Sequence, residues 1–161
     1  MRTFAIYCEV PGLEFSESAL RETLLALDQM GAYPIPDGEL SVALLGEETL
    51  QILHGKFLAD PEPTDVITFP GDPEEDFAGE ICISVDCAVR CGQERGIGLS
   101  EELTLYLVHG WLHLAGLGDG TEEEKVTMRA AEERLISFLR GRCLIPDFAV
   151  GDQPDGPVEG R

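Results

Sequence analysis

The alternation of apolar and polar positions predicts four β-strands in the first half of the chain. They are expected at residues 3–9, 39–45, 64–69 and 80–85, where β-branched and other apolar residues are frequent. Pro70 is expected to end the third strand. The acidic stretch GDPEEDFA that follows it is expected to form a loop before the fourth strand.

Apolar residues at helical spacing predict five helices. With their capping residues, the expected ranges are 16–31, 47–58, 86–96, 100–116 and 121–142. Asp86 and Thr121 are expected to cap the third and fifth helices, and Ser100 to begin the fourth. The fourth helix is apolar over much of its circumference, which indicates a helix buried on most sides.

The order of these elements indicates the fold class and the domain boundaries. Strands and helices intermix, which predicts a single α+β domain with a small mixed sheet of about four strands and about five packed helices. The domain is expected to span residues 1–145. Residues 146–161 are rich in Gly, Pro and Asp, which predicts a disordered tail.

The net charge of −20 limits the classes of function. An acidic surface repels phosphate backbones, which excludes a protein that coats nucleic acid non-specifically. The same field attracts divalent cations. A nuclease that meets RNA at a local metal site is therefore compatible with this charge.

Other features of the chain favour the cytoplasm. The sequence has no apolar run of the roughly 20 residues that a membrane helix needs, and its N-terminus does not resemble a signal peptide. Five cysteines without framework spacing do not predict disulfides. Cys87 and Cys91 are four residues apart, but without a second such pair they are interpreted as apolar filler rather than as a metal pair.

The stretch LVHGWLHLAGLGDG contains the candidate metal ligands. His109 and His113 lie one helical turn apart, and Gly116 is suited to reverse the chain so that Asp119 returns to them. Two imidazoles, a carboxylate and an open fourth position form the pattern of a catalytic zinc site. The alternatives are two core histidines bonded to the backbone, and Asp119 as a helix cap ahead of Thr121. The metal triad is favoured, because buried imidazoles need polar partners.

Gly110 argues against a protease. Zinc proteases of this outline carry a glutamate directly after the first histidine, and glycine has no side chain to act as a base. No side chain in the motif is therefore assigned as the catalytic residue. The base would be the metal-bound water or a carboxylate from elsewhere.

Three segments resemble the YbeY family, bacterial endoribonucleases that act in ribosomal RNA maturation. HGWLHLAGLGD is similar to the family signature HGxLHLxGYDH, PTDVITFP to PTDVLSFP, and GEICISVD to GDIvIS. The resemblance covers most of residues 1–140. It implies a four-stranded mixed sheet surrounded by helices and a zinc-type site held by the helical histidines and a third ligand.

Carried over to this sequence, the resemblance makes His109 and His113 the first two ligands. The third ligand in the family is normally histidine but here is Asp119, and the aspartate before it is Gly118. The expected cofactor is one divalent metal per chain, most simply Zn²⁺. The added negative charge of a carboxylate predicts a less acidic bound water and more tolerance of Mn²⁺, Fe²⁺ or Ni²⁺.

A second departure concerns substrate binding. Family members commonly carry an arginine, thought to engage RNA, at the position of Leu58. Four residues are candidates for contacting substrate instead: Lys56, His54, Thr64 and Asp65. The alternatives are that Lys56 is an ordinary solvated lysine and His54 a surface histidine. Thr64 and Asp65 would then form a turn at the start of a strand.

The leading hypothesis is a metal-dependent endoribonuclease that cuts single-stranded RNA in ribosomal RNA maturation, ribosome biogenesis and quality control. Its acidic surface indicates a basic ribosomal or GTPase assembly partner. A second hypothesis, which Leu58 favours, is a ribosome-assembly binding factor with weak or no nuclease activity. A third is a metal hydrolase of another substrate class.

Overall fold

A computed structural model of the protein describes residues 2–58 and 65–151, and the side chains of all of these except residues 54–58. The described strands are β1 (Phe4–Cys8), β2 (Leu13–Phe15), β3 (Glu39–Leu45), β4 (Val66–Asp72), β5 (Phe77–Ser84) and β6 (Phe148–Val150). The described α-helices are α1 (Glu17–Met30), α2 (Glu47–Leu58), α3 (Val85–Arg95), α4 (Leu99–Leu114) and α5 (Glu122–Gly141).

The four longest strands form one mixed sheet. Its order is β1-β3-β5-β4, with β1, β3 and β5 parallel and β4 antiparallel to β5. Helices connect the parallel strands, as parallel pairing requires. The predicted α+β class, the mixed four-stranded sheet and the five helices are confirmed within the described part of the chain.

The pairing of β4 with β5 corrects the predicted end of the third strand. β4 continues through Pro70 to Asp72, and Pro70 pairs with Gly79. β4 is an edge strand, where a missing backbone N–H need not break a ladder on both sides. Half of the acidic stretch is therefore strand, because 71–72 end β4 and 77–78 begin β5, with a short 3₁₀ turn at Pro73–Glu75 between them.

Two predicted helix starts are also wrong. The side chain of Ser84, not Asp86, accepts the Cys87 N–H and caps α3. Asp86 instead accepts the N–H of Glu47 at 2.8 Å, which satisfies a free donor at the start of α2. α4 begins after Gly98 without a side-chain cap.

Part of the predicted tail is ordered. β6 pairs antiparallel with β2, and Phe148 packs against Phe15 with ring centroids 5.6 Å apart. The Ser100 hydroxyl accepts the Phe148 N–H at 2.9 Å, which fixes β6 to the first turn of α4. The expectation of disorder is wrong for Phe148–Val150, whereas 152–161 lie outside the described residues.

Helix α4 is central to the fold. It packs against α3, α5, β4 and β5, and nine of its sixteen residues are buried. Trp111 is 1% exposed, and its indole N–H donates to the Tyr33 carbonyl at 2.9 Å.

Among the described residues, no helix has the length and apolar character needed to cross a membrane.

Candidate metal centre

Close packing of α4 on the sheet determines which faces of the helix remain available. A Cβ at Gly110 would lie 2.5 Å from Ile81 Cγ2 and 3.3 Å from Thr68 Cγ2, so only glycine allows this approach. The residue after the first histidine therefore points at the sheet and not at solvent. This agrees with the interpretation that a protease-type glutamate has no place here.

The chain reverses directly after α4. Gly116 has φ of +104°, and the Leu117 N–H donates to the Leu112 carbonyl at 3.0 Å, a bonding pattern typical of a glycine-terminated helix. The reversal brings Asp119 back beside the last turn of α4. This is the role that the sequence predicted for Gly116.

Asp119 is not the cap of α5. Thr121 caps that helix, and Glu124 completes a capping box by accepting the N–H groups of Gly120 and Thr121 at 2.9 and 3.1 Å. A Cβ at Gly118 would lie 3.1 Å from the Glu124 carboxylate. Glu124 thus fixes the loop, and the Asp119 carboxylate is left to face the histidines.

The three predicted ligands come together at one point. His109 Nε2 and His113 Nε2 are 3.0 Å apart, and Asp119 Oδ2 lies 3.4 Å from the first and 3.5 Å from the second. Ligand atoms about 2.0–2.1 Å from a tetrahedral zinc ion lie about 3.3 Å from one another. Both the donor set and its spacing therefore fit a zinc-type ion, and among the described residues this is the only such group of three.

The candidate centre is open on one side. The side chains of His109 and His113 are about one-quarter exposed, and that of Asp119 is about half exposed. A substrate can therefore approach the point that the three ligand atoms share. An exposed fourth position is what separates a catalytic zinc site from a closed structural one.

Glu132, on α5, contacts the far side of this cluster. Its Oε2 lies 2.6 Å from His109 Nδ1, a contact that holds the ring with Nε2 toward Asp119. Carboxylates in this position orient metal-binding histidines. The sequence gives no sign of this role for Glu132, because a separation of 23 residues from His109 leaves no periodic signal.

The electrostatics of His109 reflect these neighbours. Burial lowers the pKa of His109, but the hydrogen bond and charge of Glu132 outweigh it, and Asp119 and Asp65 add to the rise. The net result is a pKa above the usual range. An excess of negative charge around an imidazole also favours a bound cation.

Of the four predicted substrate-binding residues, only Asp65 has a side chain that the structure describes. Asp65 is exposed at the start of β4, and its carbonyl accepts the Ser84 N–H at 2.9 Å. Its negative charge contributes to raising the pKa values of both His109 and Cys87. Thr64 lies outside the described residues, as do the side chains of His54 and Lys56.

We expect Glu132→Ala to weaken zinc binding about 10–100-fold, because His109 loses the group that orients its ring. Chelator competition would measure the change. The neighbouring Glu133 is exposed on the same helix, and Glu133→Ala is the matched control. Equal zinc affinity in the Glu132 variant and the control would contradict an orienting role.

Comparisons with known proteins agree with this description. The family model "Endoribonuclease YbeY" matches residues 13–140. Proteins named Endoribonuclease YbeY are 35% identical in Heliobacterium modesticaldum, over 80% of this chain and 86% of that one, and 36% identical in Chlamydia abortus, over 72% and 78%. The Geobacter sulfurreducens protein of that name is 33% identical over 72% of this chain and 83% of its own.

A solved structure has the same fold. The solution structure of a Thermotoga maritima protein superimposes with a TM-score of 0.57 and 25% sequence identity. The match covers 98% of this chain and 99% of that one. The architecture described above is therefore shared over essentially the whole length of both proteins.

Proposed function

Because the chain belongs to the YbeY family of endoribonucleases, we propose that it is a metal-dependent hydrolase that cuts single-stranded RNA during ribosomal RNA maturation. The observation that carries this proposal is the convergence of His109, His113 and Asp119, whose ligand atoms lie within 4.8 Å of one another on an open surface. One divalent metal per chain, most simply Zn²⁺, is the cofactor that this donor set fits.

In this proposal the residues of the chain hold the cofactor and orient it. His109 and His113 present Nε2 atoms from one helical turn, and Asp119 adds a carboxylate from the loop. The Nδ1–H of His109 donates a hydrogen bond to the Glu132 carboxylate, so that Nε2 keeps its lone pair for the metal.

A bound divalent cation would supply positive charge to a phosphoryl oxygen and lower the pKa of a bound water. The chain's contribution to selectivity is steric and electrostatic. Gly110 removes the side chain that would act on a peptide, and the exposed edge at Asp119 admits an accessible strand. Asp65 is proposed to line this cleft, together with Thr64, His54 and Lys56.

The test is cleavage of a labelled single-stranded RNA by the purified, metal-loaded chain. We expect endonucleolytic products that disappear with a chelator and return when Zn²⁺ or Mn²⁺ is added. His109→Ala, prepared in parallel, is the control for a contaminating nuclease. Cutting that persists in this variant would assign the activity to another protein.

Leu58 favours a second candidate function, a ribosome-assembly factor that binds RNA but cuts it weakly or not at all. An arginine stabilises charge on a phosphate, and leucine cannot. In either case, the net charge of −20 suits a basic ribosomal or GTPase partner. RNA binding by the metal-loaded chain without any cleavage would favour this second function.

A further inference from the structure

Two cysteines of α3 bring their sulfur atoms close together. Cys87 and Cys91 are one helical turn apart, and their Sγ atoms are separated by 3.7 Å. Both thiols are free and half-buried, so a small ion can reach them. The sequence alone favours apolar filler for this pair, but it gives no information on whether the two sulfurs converge.

The backbone of α3 disfavours a disulfide between these sulfurs. Residues four apart on a helix have Cβ atoms about 5–6 Å apart, whereas a disulfide needs a Cβ separation of about 3.5–4.5 Å. A direct bond between the sulfurs would therefore distort the helix. A single atom that bridges the two sulfurs avoids this distortion, because it adds length between them.

The distance between the sulfurs fits a bridging metal ion. Two metal–sulfur bonds of about 2.3 Å that meet at about 110–120° place their sulfurs about 3.8–4.0 Å apart. The observed 3.7 Å is close to this value. The two thiols therefore already have nearly the spacing that a shared ion requires.

The number of donors indicates which ion the pair suits. Among the described residues, no third histidine, cysteine, aspartate or glutamate converges with Cys87 and Cys91 within 4.8 Å. Protein zinc sites typically use three or four such ligands, and iron–sulfur clusters are held by four cysteines. Soft thiolate ligands also select Cu(I), and two of them more than neutralise its single charge.

The surroundings of the pair suit two thiolates around a monovalent ion, a group with one net negative charge. Cys87 lies in the first turn of α3, where the helix macrodipole favours negative charge. Arg90, on the same helix, interacts electrostatically with both thiols. The Tyr106 hydroxyl lies 3.9 Å from Cys87 Sγ. Burial raises the pKa of Tyr106, so its hydroxyl stays protonated and can donate to the sulfur.

An ion bound by this pair displaces the thiol protons. Burial raises the pKa of the Cys87 thiol to about 11, so this thiol keeps its proton at neutral pH when no ion is bound. A thiol that coordinates a metal is deprotonated outright. Binding of Cu(I) by two thiols therefore releases two protons, and the oxidation state of the copper does not change.

We propose that Cys87 and Cys91 bind one Cu(I) ion at a second metal site, separate from the cluster of His109, His113 and Asp119. The thiol pair suits a soft ion, whereas the imidazole–carboxylate cluster fits a zinc-type ion, so the two sites differ in metal preference. The copper site does not depend on the RNA chemistry of the proposed function, and either can fail alone.

The test is competition for Cu(I) between the full chain and the chromogenic chelator bathocuproine disulfonate. Cu(I) is supplied as its acetonitrile complex without oxygen, and Zn²⁺ is present to occupy the candidate metal centre. The wild type is expected to hold one Cu(I) per chain. Cys87→Ser and Cys91→Ser are each expected to bind Cu(I) at least about 100-fold more weakly, because losing a ligand costs more than losing a group that orients one. Cys143→Ser, at an exposed cysteine outside the pair, is the matched control and is expected to bind like the wild type.

Three outcomes of this competition would contradict the copper site. Wild-type Cu(I) affinity in both Cys87→Ser and Cys91→Ser would overturn it. Loss of Cu(I) in His109→Ala, with wild-type binding in the serine variants, would assign the ion to the candidate metal centre instead. Displacement of Cu(I) by an equal concentration of Zn²⁺ would overturn the preference for a soft ion.

Alkylation of the wild type gives a readout that needs no variant, and circular dichroism would verify that the serine variants are folded. Bound Cu(I) is expected to slow the reaction of iodoacetamide with Cys87 and Cys91 and to leave the reaction at Cys143 unchanged. Mass spectrometry of peptides would locate the modified residues. Equal protection of Cys143 would show that Cu(I) binds cysteines of this chain without selectivity, which would overturn the site.

Discussion

Asp119→Ala is expected to lower zinc affinity by more than the roughly 10–100-fold expected for Glu132→Ala, because Asp119 would bind the ion directly. The rate of RNA cleavage is expected to fall about 10³-fold. The cleavage loss corresponds to about 4 kcal/mol of transition-state stabilisation. Asp119 Oδ2 is the third of three converging ligand atoms. Without it, the two imidazoles alone would hold the cation.

Two further variants separate charge from coordination at Asp119. Asp119→Asn keeps the shape but not the charge, and is expected to bind metal more weakly than wild type. Asp119→His replaces the carboxylate with a neutral imidazole, and is expected to retain Zn²⁺ while binding Mn²⁺ and Fe²⁺ less well.

Metal content after dialysis and competition with a chromogenic chelator would measure these changes. Circular dichroism would verify that each variant is folded, which is expected because Asp119 is about half exposed. If Asp119→Ala retains the metal stoichiometry of the wild type, Asp119 is not a ligand.

Trp111→Ala is expected to lower the free energy of unfolding by about 3–5 kcal/mol, because a fully buried aromatic side chain would leave a cavity. Trp111 is 1% exposed, and it also loses its hydrogen bond to the Tyr33 carbonyl. Domains of this kind are typically stable by about 5–15 kcal/mol, so this single change removes a large share. Because Trp111 lies on α4 between the two histidines, the loss would also loosen the metal centre.

Urea denaturation of the metal-free chain would measure the change in stability. Trp111→Phe keeps an aromatic ring but loses the indole N–H, and is expected to cost less than the alanine variant. Val126→Ala, at a position that is 63% exposed, should change stability by no more than about 0.5 kcal/mol. Equal stability of Trp111→Ala and Val126→Ala would show that α4 is not central to the core.

Several features of the fold could be predicted from the sequence because they depend on short-range patterns. The ranges of β3 and α2 match the predicted 39–45 and 47–58, and Gly31 and Gly96 cap their helices. Alternation, helical spacing and terminal glycines act over a few residues. The spacing of His109, His113 and Asp119 across a glycine reversal is local in the same sense.

Other features could not be predicted because the partner lies far along the chain. Asp86 looks like a cap for its own helix, but it bonds to Glu47 at the start of α2. β2 and β6 are three residues each, and they pair across more than 130 residues. No short stretch of the sequence contains both partners of either contact.

The same distinction applies to the candidate site. The local motif by itself determined which three residues could share an ion, since one helical turn and one sharp bend place them together. Only the tertiary structure decided that Glu132 orients His109 and that Gly110 is required where α4 meets Ile81. These contacts arise when α4 packs against α5 and the sheet, and packing between distant segments leaves no periodic trace in the sequence.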